Sequence, residues 1–311
     1  MNGTVRRSWL IVPAHNEERL TLATNSGADV VVLDLEDTVH DSRKHEAREN
    51  IHDAISIMRD AGSEVFVRCD PELLYADITA SVWRGLSGVV LPGLTSAAQI
   101  IEADSILSQF ESERGVVRPP SVGEVREADD PRGPEQALEI HLSLDAGPAN
   151  WHAEELIRAS DRIQSISLGR ADLKMDLREE PSGDLHLLPY LMQRLIVIAN
   201  ALNVEPVGAW WRATSRGLAA SYDDTLQAAI TGRQAGFRGA LCMKAEQVAA
   251  LNAGFAPSDE EVRRAHILVD AGPAHIPIVT IASNTLEYSD ACTLRDRAAA
   301  LVRNTRDNDD D

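Results

Sequence analysis

Carboxylates and one arginine follow several short apolar runs of the sequence. These residues are Asp34, Glu36 and Asp37 after the second run; Arg68 and Asp70 after the third; Asp145 after the fifth; and Asp172 after the sixth. In parallel α/β folds the carboxyl ends of the strands gather at one edge, where such side chains converge. Converging carboxylates repel one another, so the pattern predicts a bound hard cation, with Mg²⁺ the best match, or raised carboxyl pKa values.

Each of these residues also has a plainer interpretation. Aspartate is a preferred helix N-cap, and this alternative applies singly to Asp37, Asp41, Asp145 and Asp172. Arg68 directly follows an apolar run, which favours a place at the mouth of the fold over a surface salt bridge. There it could fork onto a carboxylate or stabilise an enolate oxygen. His15, Lys244 and the Trp210-Trp211 pair also lie near predicted strand ends. Residues in such places more often pack or face solvent than take part in chemistry.

Alternating strand and helix patterns position these residues. Strand patterns cover 9–13, 30–34, 64–68, 88–92, 140–144, 163–168, 204–210 and 237–242, and helix patterns include 16–26, 42–60 and 73–84. Several strands are apolar throughout, as strands covered on both faces are. About eight βα units predict a TIM (β/α)8 barrel. A doubly wound open sheet is the alternative, but its dinucleotide and P-loop glycine fingerprints are missing.

The remaining segments suggest a barrel followed by an extension. We predict a barrel over 1–271, with a long surface loop at 111–136. We expect residues 272–304 to form a C-terminal helical extension, with an extended crossing and a helix at 289–303. This extension would pack on a neighbouring subunit, and the acidic tail 305–311 would be disordered.

Charge and cysteine content narrow the class of protein. Among 311 residues, 30 Lys and Arg face 49 Asp and Glu, a net charge of −19. Such a surface repels nucleic acid and anionic membranes, so an anionic substrate needs a local positive site.

Cys69, Cys242 and Cys292 form no CxxC pair, which argues against disulfides and zinc. No apolar run reaches the ~18 residues of a membrane span. A cytoplasmic protein is expected.

A series of motifs runs through most of the chain in a fixed order. It begins with Arg7-Ser8, Val12-Pro13 and Glu18-Arg19, and its clearest stretch is 27–39, around Asp34-Leu35-Glu36-Asp37. It continues with Lys44, Ala47-Arg48, Val67-Arg68, 89–92, Ser96-Ala97, Gly169, Asp172-Leu173, Gly236-Phe237, Gly239, Leu241-Cys242, Gln247-Val248, Asn252, Phe255 and Pro257-Ser258. In this series the chain resembles the citrate lyase β-subunit-like family of the HpcH/HpaI aldolase superfamily.

The resemblance implies a fold, an activity and a set of site residues. It implies a TIM barrel that binds a coenzyme A thioester and Mg²⁺, or Mn²⁺, and breaks a C–C bond between the thioester α-carbon and a keto acid. It also implies a homotrimer or hexamer. The implied metal ligands are Asp145 and Asp172, the substrate-binding residues are Arg68, Arg19 and Gly169, and the catalytic residues are Glu36, Asp37, Arg68 and Asp290, the last from a neighbouring subunit.

This chain also departs from the family pattern. Asp145 stands where the family carries glutamate, and further departures lie at Gly93, Thr95, Ala171, Val207 and Met243-Lys244-Ala245. Three functions are therefore compared: a lyase acting on citryl-, malyl- or citramalyl-type thioesters, an acyl-CoA thioesterase on the same scaffold, and a catalytically inactive barrel that serves as a binding or assembly subunit. The sequence leaves open whether the carrier is coenzyme A or an acyl carrier protein.

Overall fold

Eight parallel strands form the centre of the fold. A computed structural model describes residues 5–121, 124, 137–144, 147–169, 187–210, 220–272, 288 and 290–302. Its strands are β1 (Ser8–Pro13), β2 (Val30–Asp34), β3 (Glu64–Arg68), β4 (Leu86–Pro92), β5 (Glu139–Leu144), β6 (Ile163–Leu168), β7 (Glu205–Val207) and β8 (Ala240–Cys242). They pair in the order β7-β6-β5-β4-β3-β2-β1-β8, and a parallel bridge between Val207 and Gly239 joins the two ends. The predicted barrel is confirmed.

Helices follow the strands, as barrel connections require. In the described residues these are α1 (Glu17–Thr24), α2 (Lys44–Asp60), α3 (Leu74–Ser81), α4 (Ala97–Arg114), α5 (Pro148–Trp151), α6 (Ala153–Ile157), α7 (Leu187–Leu202), α8 (Tyr222–Ala235) and α9 (Val248–Phe255). Short 3₁₀ turns at Asp41–Arg43 and Ala245–Gln247 precede α2 and α9. No helix within the described ranges combines the length and the apolar character needed to cross a membrane.

Side chains alternate between the barrel interior and the layer under the helices. The interior cluster contains Trp9, Ile11, Val30, Val32, Phe66, Val90, Val207 and Leu241. His141 packs against the Trp9 ring, with centroids 4.9 Å apart, and its two ring nitrogens lie 2.8 Å from the Ser165 and Ser167 hydroxyls. Burial, with a smaller contribution from the Arg6 charge, lowers the pKa of His141 to about 3. The imidazole is therefore neutral.

The amino-terminal end of the barrel carries buried ion pairs. Arg6 donates to Glu64 at 2.7 Å and to Glu139 at 2.6 Å, and Arg118 lies 3.3 Å from Glu139. Closure next to Arg6 requires a glycine, because a Cβ at Gly239 would lie 1.9 Å from the Arg6 carbonyl oxygen. This end of the barrel is thus filled by structural contacts, which leaves the carboxyl end for chemistry.

The prediction of a surface loop over residues 111–136 is wrong at the start of that range. Residues 111–114 continue α4, which ends at Gly115 in the left-handed region, with φ 62°. The helix persists because Phe110 is buried and Glu111 forms an ion pair at 2.6 Å with Arg162, a long-range contact that the local pattern does not show. Of the rest, 122–123 and 125–136 lie outside the described residues.

The chain divides into two compact units. The barrel unit comprises 6–119 and 130–255, and the second unit comprises 1–5, 120–129 and 256–311. In the second unit α10 (Asp259–Ala271) begins at a capping box formed by Ser258 and Glu261, and a further helix, α11, spans 290–302. The predicted boundary at residue 271 stays a prediction. The predicted crossing lies outside the described residues from 273 onward, and so does the tail 305–311.

Candidate functional site

Asp34 and Arg68 face each other at the carboxyl ends of β2 and β3. They are register partners in the parallel pair. Because Val32 and Phe66, two residues earlier, belong to the interior cluster, the alternation of a strand also directs Asp34 and Arg68 inward. The two side chains therefore lie at the mouth of the barrel, where α/β barrels carry their active sites.

Arg68 forks onto the Asp34 carboxylate. Its Nε donates to Oδ1 and its Nη2 donates to Oδ2, both at 2.6 Å. Asp34 is 0% exposed and Arg68 is 8% exposed. Two parallel charge-assisted hydrogen bonds fix the plane of the guanidinium as well as its position. These two bonds use Nε and Nη2, and within the described ranges Nη1 makes no hydrogen bond.

Asp34 accepts further hydrogen bonds from the loop after β2. The backbone N–H of Glu36 donates at 2.9 Å, and Thr38 donates from its N–H at 2.8 Å and from its hydroxyl at 2.5 Å. Burial alone would raise the pKa of Asp34. The Arg68 charge and these hydrogen bonds outweigh it, so the pKa lies below the ordinary value. Five donors saturate the carboxylate, which suits it to holding Arg68 rather than to binding metal or moving protons.

The predicted catalytic residues Glu36 and Asp37 lie beside this pair. Glu36 is 8% exposed, and its Oε2 is 3.5 Å from Arg68 Nη2. Asp37 is exposed. The pKa of Arg68 is lowered by burial but raised more strongly by Asp34, Glu36 and Asp37, so the guanidinium stays charged. The structure thus brings Glu36, Asp37 and Arg68 together, while their roles stay predictions.

Asp70, a member of the predicted acidic rim, is neutralised by a lysine. It forms an ion pair with Lys44 at the start of α2, and the backbone N–H of Glu72 donates to it at 2.9 Å. Burial raises the pKa of Asp70, but the contacts with Lys44 and Glu72 lower it further than burial raises it. Raised carboxyl pKa values were one expectation for the rim. For Asp34 and Asp70 that expectation is wrong, because each carboxylate has its own cation.

The predicted metal ligands Asp145 and Asp172 lie outside the described residues. The strands before them are neighbours, with Ser143 opposite Ser167 and Leu144 opposite Leu168. Gly169, a predicted substrate-binding residue, directly follows β6 and is half-buried. Within the described ranges no three acidic, histidine or cysteine side chains are grouped to hold a metal. The roles of Asp145 and Asp172 as metal ligands therefore stay predictions.

Two more predicted residues, Arg19 and Asp290, lie on helices. Arg19, exposed in the first turn of α1, donates to the Met243 carbonyl at 3.0 Å. It lines a cavity of about 510 Å³ together with Leu22, Tyr222, Lys244 and others. The cavity forms where β8 ends, because β1 pairs with β8 only as far as Leu10. Asp290 is exposed at the start of α11 in the second unit.

The fold and this site define a (β/α)8-barrel protein with an arginine–carboxylate centre at the carboxyl end of the barrel. The sequence pattern of the HpcH/HpaI aldolase/citrate lyase family matches residues 7–245, and the chain belongs to that family.

Relatives and a solved structure agree with this assignment. The chain is 27% identical to the citrate lyase subunit beta of Leuconostoc mesenteroides subsp. cremoris over 273 residues, 87% of this chain and 83% of that protein. It is 30% identical to the L-malyl-CoA/beta-methylmalyl-CoA lyase of Cereibacter sphaeroides (strain ATCC 17025 / ATH 2.4.3) over 164 residues, 51% of this chain and 46% of that enzyme. The fold is similar to that of the protein CitE from Mycobacterium tuberculosis in complex with magnesium, acetoacetate and coenzyme A. The TM-score is 0.62 with 18% identity, over 95% of this chain and 98% of that one.

Proposed function

We propose that this protein is a Mg²⁺-dependent C–C lyase. Its substrate would be a 3-hydroxyacyl-CoA thioester of the citryl, malyl or citramalyl type, cleaved into a keto acid and an acyl-CoA. Support comes from a family whose relatives include a citrate lyase subunit and an acyl-CoA lyase. The single observation that carries the proposal is the guanidinium of Arg68, which Asp34 fixes at the mouth of the barrel.

Arg68 is suited to an anionic substrate on an acidic protein. The net charge of −19 repels anions in general, so capture depends on a local cation. Two N–H groups of Nη1 can donate to a substrate carboxylate or to the thioester oxygen. A donor held in place by Asp34 needs no reorganisation when charge develops, which is the basis of electrostatic stabilisation in active sites.

The reaction needs a base, a stabilised anion and an acid. The Glu36–Asp37 pair would take the proton of the 3-hydroxyl group, and the resulting oxygen lone pair forms the keto C=O bond. The adjacent C–C bond breaks, and its electrons pass into the thioester as an enolate whose oxygen faces Arg68. Asp290 of a neighbouring subunit would protonate the α-carbon, which completes the acyl thioester.

Asp145 and Asp172 are the residues that would hold Mg²⁺ or Mn²⁺. The charge of such an ion polarises hydroxyl and carboxylate oxygens of a bound hydroxy acid. Because Asp145 is one methylene shorter than the glutamate expected from the family pattern, the ion would shift or bind Asp145 through a water molecule.

The cavity beside α1 would receive the carrier end of the thioester. Arg19 and Lys244 supply positive charge there, Tyr222 an aromatic surface and Leu22 an apolar one. This combination fits the phosphates and base of coenzyme A. Gly169 would allow the acyl chain to approach the end of β6 closely.

Assembly and location complete the proposal. If Asp290 acts in a neighbouring site, the protein is a homo-oligomer, with a trimer or hexamer expected. The acidic charge and the substrate class fit a cytoplasmic protein that binds a small-molecule thioester and neither nucleic acid nor membrane.

A thioester panel tests the proposal. The protein is incubated with Mg²⁺ and malyl-, citramalyl- or citryl-CoA, and products are identified by mass spectrometry. A lyase gives keto acid and acyl-CoA, whereas a thioesterase gives free coenzyme A and the hydroxy acid. No turnover, with the thioesters still bound, supports a non-catalytic binding subunit. Support for a non-catalytic subunit comes from Val207, which departs from the family pattern and is buried in the barrel interior.

A further inference from the structure

A chain of ion pairs links α2, the segment after β3, and α3. Lys44 contacts Asp70, and Arg48 Nε donates to Asp77 Oδ1 at 2.6 Å. The backbone N–H of Asp70 donates to the other oxygen of Asp77 at 2.7 Å. Lys44 and Arg48 are four residues apart on one face of α2, so a single helix face supplies both cations. We call these four residues the α2–α3 ion-pair chain.

Asp77 is a costly residue for the core of this protein. It is 0% exposed inside α3. Burial raises the pKa of its carboxyl group, and the hydrogen bonds from Asp70 and Arg48 only partly offset this. Buried ion pairs add little net stability compared with apolar residues of similar size. Stability is therefore a poor explanation for a buried aspartate at position 77. A better explanation is the backbone segment that its carboxylate holds in place.

Asp77 holds the chain two residues beyond Arg68. The Arg68 carbonyl accepts from Leu35 N–H at 3.0 Å, and Cys69 N–H donates to the Val90 carbonyl at 3.1 Å. Both contacts prolong the pairing with the neighbouring strands. The backbone N–H of Asp70 instead donates to the side-chain carboxylate of Asp77. The strand pairing therefore ends at Asp70.

We propose that Asp77 is a positioning residue that fixes the end of β3 and thereby the direction of the Arg68 guanidinium. Arg48 supports this role by keeping a charged partner on the second carboxylate oxygen. Lys44 supports it from the solvent side by pairing with Asp70. The effect on turnover rests on the proposed lyase function, whereas the effect on Arg68 itself does not.

The Nε–H group of Arg68 gives a readout that needs neither substrate nor metal. In the full-length protein this N–H is bonded to a buried carboxylate, so it should give a resolved ¹⁵N–¹H resonance that exchanges slowly with water. Its absence from Arg68→Lys assigns it. In Asp77→Ala the resonance should shift, and its exchange should accelerate by about tenfold or more.

A matched control separates positioning from lost stability. Asp104 on α4 accepts from Arg162 Nε at 2.7 Å, just before β6 and therefore at the opposite end of the barrel. Asp104→Ala breaks an ion pair of similar length that is more exposed than that of Asp77, and it should leave the Arg68 resonance unchanged. If Asp77→Ala is folded and its Arg68 resonance and exchange match those of the native protein, the proposal is wrong.

Two milder variants cover the case in which Asp77→Ala does not fold. Asp77→Asn keeps an acceptor for the Asp70 N–H but removes the charge, and Arg48→Met removes the partner while keeping the length of the side chain. Both should shift the Arg68 resonance in the same direction, with Arg48→Met the smaller change. An unshifted resonance in both folded variants overturns the proposal. Because the readout is independent of turnover, an inactive native protein would count against the proposed function only.

Discussion

Asp34 and Arg68 are register partners on β2 and β3, and their side chains form two parallel hydrogen bonds of 2.6 Å across that register. A contact between strands, rather than a loop, therefore sets the guanidinium at the mouth of the barrel. Sites built on strands are held more precisely than sites built on loops. This pair is the centre of the proposed chemistry, and the first two predictions concern it.

Arg68→Lys should lower turnover by ~100-fold, the scale of one lost donor to a developing oxyanion. Lysine keeps the charge but cannot fork onto Asp34 and at the same time present a fixed donor to the substrate. Steady-state kinetics on the best thioester of the panel checks this. Arg59→Lys, at an exposed ion pair on α2, is the control and should be indistinguishable from the native enzyme. Near-native turnover in Arg68→Lys would remove Arg68 from the mechanism.

Asp34→Asn should destabilise the protein by about 3–5 kcal/mol, because it leaves a buried guanidinium without its charge partner. The pKa of Asp34 is lowered in the folded state, so its contribution to stability is complete above its unfolded pKa. That contribution is lost as the pH falls through the folded value. Urea unfolding at several pH values should therefore show a flatter acid limb in Asp34→Asn. An unchanged acid limb would contradict the assignment, and exposed Asp60→Asn serves as the control.

His141 should make the native protein less stable in mild acid. Its folded pKa of about 3 lies below the unfolded value, so only the unfolded chain takes up a proton as the pH falls from 7 to 5. This costs about 2 kcal/mol of unfolding free energy. His141→Gln, which can still bond both serines, should lose about that much of the pH dependence. Exposed His52→Gln should keep it. Equal pH dependence in all three proteins would mean that His141 is not buried as a neutral ring.

The fold was largely predictable from local pattern, and the centre of the site was not. The strands Val30–Asp34, Glu64–Arg68 and Ile163–Leu168 have the predicted bounds. Val30–Asp34 is the clearest case, because an apolar run covered on both faces leaves little ambiguity. In the sequence, Asp34 is only one of several acidic residues that follow apolar runs. Its role depends on the register with Arg68, which is 34 residues away.

Asp77 was missed for a related reason. It lies inside a helical pattern, and its partner Arg48 is 29 residues distant. An aspartate at an apolar position of a short helix is the one local signal that could have been followed. Glu36, Asp37 and Arg68 were predicted to lie together because they follow strands, and strand ends are where barrels collect functional groups.

Mg²⁺ or Mn²⁺ should bind through Asp145 and Asp172. Titration calorimetry should show one site per chain, and Asp172→Asn should weaken it by about tenfold or more, since one of two charged ligands is lost. Asp60→Asn should bind as the native protein does. Equal affinity in Asp172→Asn would show that the metal lies elsewhere, and no binding at millimolar metal would weigh against the lyase reading.

Asp290 should act in the site of a neighbouring subunit. Asp290→Asn and Arg68→Ala should each be nearly inactive. Refolded together they should regain part of the native turnover, because a mixed oligomer contains some sites with both residues intact. Light scattering must confirm that mixed oligomers form. Full activity of Asp290→Asn alone would leave Asp290 with a structural role only, the alternative that the preference of aspartate for helix N-termini predicts.

The most direct test of the lyase proposal is the identity of the thiol-containing product. Malyl-, citramalyl- and citryl-CoA are each incubated with the protein and Mg²⁺, and acyl-CoA, free coenzyme A and keto acid are quantified together. The proposal predicts, for at least one thioester, equal amounts of keto acid and acyl-CoA, a lag-free time course, and loss of both products in Arg68→Ala. Free coenzyme A with intact hydroxy acid, or no Mg²⁺-dependent product from any of the three, would contradict it.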